Sequence, residues 1–158
     1  MTVAACATPL LAFGGAATAG AATVTVPSVP SVVQQASAGE ILTLVNEERK
    51  NAGCPALKSN PELTKAAQQH AEDMAKNNLT GHTGSDGSGT QQRIDKAGYN
   101  WSAWGENVSG PGHATAKDHV QGWLDDPPHK ADMLRCSFTD TGVAVSGDRA
   151  VQVFGTPG

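Results

Sequence analysis

Apolar residues recur along the chain first at helical and then at strand spacing, and that change of period predicts the order of the elements. Ile41, Leu42, Leu44 and Val45, followed by Glu47 to Lys50, make an amphipathic helix that stops near Gly53. For a second helix, Asn60 supplies the cap and Pro61 the first turn, and Leu63, Ala66, Ala67, His70, Ala71, Met74 and Ala75 return at three- and four-residue intervals before Asn77 and Asn78 end it. The stripe is mostly alanine, so a neighbour can come close to its backbone. A glycine-rich loop over 81–89 leads to a short helix over 91–97. The stretch 101–109 carries the anchors Trp101, Trp104 and Val108, and its centre reads as a short strand. A third helix over 114–124 turns Ala116, Val120, Trp123 and Leu124 inward until Pro127 and Pro128 break it, and a helical turn follows over 130–135. Residues 142–145 and 150–154 flank a polar turn as a hairpin, with Val143, Val145, Val151 and Val153 on alternate positions. The expected class is α+β, with helices covering a small antiparallel sheet in one domain over 40–158.

Charge divides the chain. No Asp, Glu, Lys or Arg precedes Glu40, so all 11 basic and 15 acidic residues belong to the body. The Ala-rich segment over 1–22 is too weakly apolar for a membrane span and fits a signal peptide cleaved after small residues, with a flexible Thr, Val, Pro and Ser linker over 23–39. It departs from the usual pattern in having no Lys or Arg before its apolar core. Val3-Ala4-Ala5-Cys6 also has the form of a lipid-attachment site, and a lipid anchor on Cys6 is the alternative, although too few residues precede it to form an apolar core. Removal of the leader leaves Cys54 and Cys136, an even count that points to a disulfide in an exported protein, with two buried free thiols as the other reading. A net charge of -4 and a pI near 5.6 give no basic footprint for nucleic acid.

Chemistry is sparse. The five histidines all lie between His70 and His129. His82 follows a helix in an irregular loop and His129 follows a helix-ending Pro-Pro, positions from which side chains reach the rim of a cleft. Glu106 lies between Gly105 and Asn107, and Asp125 and Asp126 precede Pro127. Two imidazoles with two carboxylates would suit a divalent metal or acid and base work near neutral pH, but their spacing alone equally describes solvated loop residues. His70 reads as a packed residue of its apolar stripe, and His113 and His119 as a solvated or partly buried helix face. The three tryptophans read as packing. There is no glycine-flanked serine nucleophile, no phosphate loop ending in Lys-Ser or Lys-Thr, and one carboxylate in 85–89 where calcium loops use several.

Five pieces in order carry a resemblance: Leu44-Val45-Asn46-Glu47-Glu48-Arg49, then Leu63 with Ala66, His70 and Ala71, then Gly81-His82-Thr83-Gly84-Ser85-Asp86-Gly87, then Gly105-Glu106-Asn107-Val108, then Trp123 with Pro127-Pro128-His129. Together they resemble the CAP superfamily of cysteine-rich secretory, antigen 5 and pathogenesis-related 1 proteins, in its short bacterial form. The resemblance implies a three-layer α-β-α sandwich with a central cleft. Carried over residue by residue, the cleft would hold His82, Glu106, Asp126 and His129, with His82 and His129 as ligands for zinc or another divalent cation and Glu106 and Asp126 as the candidate catalytic carboxylates. This chain departs from the family at Asp126, shorter than the Glu of eukaryotic members, and at Pro128, which stiffens the loop before His129; both put the reach of the Asp126 carboxylate in doubt.

Three functions stay open. The leading expectation is an exported, secreted or extracytoplasmic binding module whose cleft takes a divalent metal and a lipid, sterol or other small apolar ligand. The second is a metal-dependent hydrolase or peptidase acting on envelope or extracellular substrates, with Glu106 moving the proton. The third is a non-catalytic secreted interaction protein.

Overall fold

A computed structural model describes residues 36–158. The segment expected as a signal peptide over 1–22, with Cys6, and most of the expected linker lie outside the described residues. The body begins two residues earlier than the charge boundary implies: α1 (Ala38–Asn51) is capped by Ser37, whose hydroxyl accepts from the Glu40 amide at 3.2 Å. Then come β1 (Lys58–Ser59), α2 (Pro61–Asn77), α3 (Thr90–Ala97), β2 (Trp101–Ser109), α4 (Ala116–Asp125), α5 (Pro127–Met133), β3 (Asp140–Ser146) and β4 (Arg149–Pro157). The helix expected over 130–135 therefore starts three residues sooner. Pro127 and Pro128 end α4 but occupy the first turn of α5, where a missing N–H costs nothing.

The sheet runs β1-β3-β4-β2. Its three longer strands are antiparallel, as the alternation implies, and β1 adds two residues parallel to β3. So short an edge has no periodic signature in the sequence. Both sheet faces are covered. On one, α1, α4 and α5 bring Ile41, Val45, Val120, Trp123 and Met133 onto Val143, Ala150 and Phe154; on the other, α2 and α3 bring Leu63, Ala67, Met74 and Ile94 onto Ala144, Val151 and Val153. Helices, sheet and helices make three layers.

The alanine stripe of α2 explains how closely the layers meet. A Cβ on Gly142 would lie 2.1 Å from the Leu63 carbonyl carbon and the Thr64 nitrogen, so the backbone of α2 rests on β3 itself. Neither partner is a flexible side chain that can move aside. Gly142→Ala is therefore expected to cost the upper end of the roughly 1 to 3 kcal/mol seen for overpacked cores. A denaturation midpoint within error of wild type would show that α2 does not sit there.

His70 is fully buried and its Nε2 donates to the Gly81 carbonyl at 2.9 Å. His119, expected on a solvated or partly buried face, is also fully buried: its Nδ1 meets the Ser109 hydroxyl at 2.6 Å, and burial pushes its pKa down to about 4. Helix α4 lies against the end of β2, so the face that looked polar in sequence turns inward. Trp123 packs in the core and donates to the Val108 carbonyl at 3.0 Å.

Candidate metal-binding cleft

Three of the four candidate residues meet in one cavity of about 330 Å³. His82 comes from the loop between α2 and α3, Glu106 from the middle of β2, and His129 from the first turn of α5. Trp104, Pro128 and Gly105 give the cavity an apolar wall, and Asp132 adds a carboxylate. The chain converges here because β2 is an edge strand, with the 79–89 loop and α3 arriving from one helical layer and α5 from the other.

The His82 Nδ1 donates to Glu106 Oε1 at 2.8 Å. The imidazole side chain is 50% exposed and the carboxylate 1% exposed, so a mobile-looking loop histidine is tied to a fixed, buried partner. That hydrogen bond holds the His82 pKa above its ordinary value. Glu106 also accepts from Thr90 Oγ1 at 2.7 Å and from Arg93 Nη2 at 3.0 Å on Oε2 and 3.2 Å on Oε1. Burial alone would raise the Glu106 carboxyl, but the bond from His82, the Arg93 charge and the Thr90 hydroxyl together outweigh it, and the group lies below its ordinary value.

His129 has a looser neighbour. Its Nδ1 lies 3.2 Å from Asp126 Oδ2, on a half-exposed side chain. Asp126, the junction of α4 and α5, does not line the cavity and leaves the cavity wall to Asp132. Burial lowers the His129 pKa. Burial raises the carboxyl of Asp132, one helical turn after His129, above the usual range. It fills the space over Gly105, where a Cβ would meet Asp132 Oδ2 at 2.9 Å. Asn107 Nδ2 donates to the His129 carbonyl at 2.9 Å and ties α5 to β2.

With Nδ1 donating to Glu106, a neutral His82 carries its lone pair on Nε2, and such a bond fixes the tautomer of the ring. The two rings lie 5.8 Å apart between centroids and 52° from parallel. Two imidazoles sharing one ion at about 2.0 to 2.1 Å would place their centroids roughly 5 to 6 Å apart. Among the described residues no three His, Cys, Asp or Glu side chains are grouped to hold one ion.

Thr90, Arg93 and Asp132 were not foreseen. Asp132 had a readable signal, a carboxylate three residues after a histidine on one helical face. Thr90 and Arg93 had none, since their partners are distant in sequence.

The model of the cysteine-rich secretory protein family, CAP, matches residues 42–156. The chain belongs to that family. The match takes in every cleft residue and all of the helices and strands except the first four residues of α1 and the last of β4. The CAP domain is 29% identical over 119 residues to the uncharacterized protein YkwD of Bacillus subtilis strain 168, covering 75% of this chain and 46% of the relative. It is 27% identical over 122 residues to the uncharacterized membrane protein YlbC of the same strain, covering 77% of this chain and 35% of the relative. Among solved structures, an extracellular protein containing an SCP domain from Bacillus anthracis aligns with a TM-score of 0.72 at 26% identity, over 84% of this chain and 45% of that one. The chain thus spans less than half the length of each of these relatives.

The disulfide fits the same domain. Cys54 and Cys136 are bonded, which settles the cysteine alternative in favour of the pair. It joins the segment after α1 to the segment after α5. No described helix of this CAP domain is long and apolar enough to cross a membrane.

Proposed function

We propose that this CAP domain is an extracytoplasmic binding module whose cleft holds a divalent cation, zinc foremost, on His82 and His129. One observation carries the reading: His82 gives its Nδ1 to the buried Glu106 carboxylate and so keeps Nε2 free, and the His129 ring stands 5.8 Å away between centroids in the same cavity. The anionic lining of Glu106 and Asp132 favours a cation, and the apolar wall of Trp104 and Pro128 suits a small apolar or lipid-derived group beside it. When bound, the ion would supply Lewis acidity and an anchoring charge. A location outside the cytoplasm is supported by the disulfide and by the Bacillus anthracis relative, described as extracellular. Envelope components are then the accessible partners.

Binding is favoured over hydrolysis on two grounds. Catalytic zinc usually takes three protein ligands, and two are grouped here. The Glu106 carboxylate, the candidate base, already accepts from His82, Thr90 and Arg93.

Calorimetric titration with zinc tests the reading. Wild type should bind one ion, and His82→Ala with His129→Ala should lose that binding. Ligation needs neutral imidazoles, and the Glu106 bond holds the His82 pKa up, so acidification should protonate His82 first and weaken binding as pH falls from neutral toward about 6. Equal affinity in wild type and the double variant would place the ion elsewhere. Native mass spectra of the purified chain with and without zinc would show any apolar ligand retained, and repeated absence of one would remove the second half of the proposal.

A further inference from the structure

Arg93 has no place in the five pieces that carry the family resemblance, yet its guanidinium lies at the base of the cleft. It is 2% exposed on α3. Nη1 donates to the Ser88 carbonyl at 2.9 Å, and Nη2 donates to the His82 carbonyl at 2.9 Å and to Glu106 Oε2 at 3.0 Å, with longer contacts of 3.2 Å to Glu106 Oε1 and to Thr90 Oγ1. One planar group therefore grips the backbone of the histidine and the carboxylate that the same histidine addresses.

We infer that Arg93 is the positioning residue of the cleft, fixing through one guanidinium the angle at which His82 meets Glu106 and hence the direction its free nitrogen faces. The inference rests on the proposed cation site, but the positioning itself is a property of the metal-free protein. The loop over 79–89 has no helix or strand of its own. Three buried side chains hold its backbone: Arg149 the Leu79 carbonyl, His70 the Gly81 carbonyl, and Arg93 the carbonyls of His82 and Ser88. Arg149 and His70 fix where the loop passes. Of the three, only Arg93 also bonds the Glu106 carboxylate that His82 addresses.

The shape of the group matters as much as its charge. A guanidinium presents donors in a fixed fork, whereas a lysine ammonium is a point charge on a flexible stem. An ammonium at this position could face Glu106, but it could not also span the His82 and Ser88 carbonyls in one geometry. Without the fork, Glu106 keeps the Thr90 hydroxyl, but the His82 backbone is released and its imidazole is no longer held to the carboxylate.

The test uses the whole chain and two variants, Arg93→Met and Arg93→Lys, read first without metal. Nitrogen-15 chemical shifts of the imidazoles report the tautomer. In wild type His82 should hold its proton on Nδ1. Both variants should show His82 averaging between tautomers while His129, which Arg93 does not bond, is unchanged. Zinc affinity should then fall about 10- to 100-fold, the usual effect of losing an outer-shell partner. A merely structural role would move both histidines or neither. If Arg93→Met does not fold, Arg93→Lys, which keeps the charge beside Glu106, carries the same test. A His82 that stays on one tautomer with affinity within twofold of wild type overturns the inference, as does full rescue by lysine, which would show that charge suffices without the fork. If His82 responds as expected but wild type binds no zinc, the positioning stands and the metal reading fails.

Discussion

Replacing Arg49 with Met is expected to remove about 3 to 5 kcal/mol of stability, more than any single change at the cleft. Arg49 is fully buried on α1 and has no carboxylate partner. It is satisfied by backbone alone: Nε donates to the Pro55 carbonyl at 3.0 Å, Nη1 to Met133 at 2.8 Å and Arg135 at 3.0 Å, and Nη2 to Phe138 at 2.9 Å. The Met133 carbonyl is the last of α5 and the Arg135 carbonyl lies two residues beyond it, at the helix end whose dipole favours positive charge. Burial lowers the Arg49 pKa, yet the group stays charged because four oxygens replace its water. Truncation leaves those oxygens without a donor, at about 1 to 3 kcal/mol for each one left buried, a sum reduced by relaxation and by water entering the space. Lysine should recover little, because one ammonium cannot span four carbonyls. Urea unfolding with an unchanged slope and a shifted midpoint is the expected observation. A loss below about 1 kcal/mol would mean that the carbonyls find other donors and that Arg49 does not hold α5.

Arg49 also shows where the sequence stops being informative. In Glu47-Glu48-Arg49-Lys50 it looks like one more charge on a solvated helix face. Its acceptors at Met133, Arg135 and Phe138 lie 84, 86 and 89 residues away, and no periodicity reports a contact of that range. His119 was misjudged for the same reason, since its burial depends on the end of β2. Where the determinants are local, the reading held in detail. Asn60 caps α2 through the Leu63 amide at 2.9 Å, Pro61 opens the helix, and Asn78 closes it in the left-handed region with φ of 52°. Three cleft residues were legible through the order of their motifs rather than their spacing. The Asp126 carboxylate could not be placed from sequence, because a one-residue junction between two helices decides which way it faces.

Breaking the Cys54–Cys136 bond, by Cys54→Ala with Cys136→Ala, should cost about 4 to 5 kcal/mol in the chain-entropy description, given a sequence separation of 82 residues. The cleft should survive it. Arg49 bonds to Pro55 and Arg135, each next to one of the two cysteines, so it spans the same gap from inside that the disulfide spans from outside. With either clamp intact, the end of α5 stays against α1, and the helix that carries His129 and Asp132 keeps its place on β2. Zinc affinity of the folded double alanine variant should therefore stay within about threefold of wild type. Two clamps on one junction should not act additively. A cycle combining Arg49→Met with the cysteine replacements is expected to show a coupling of about 0.5 to 3 kcal/mol, with the combined variant losing cleft binding along with stability. Additive losses with binding retained would show that the two clamps act on separate parts of the fold, and that α5 is held by its packing on β2 and not by the junction beyond it.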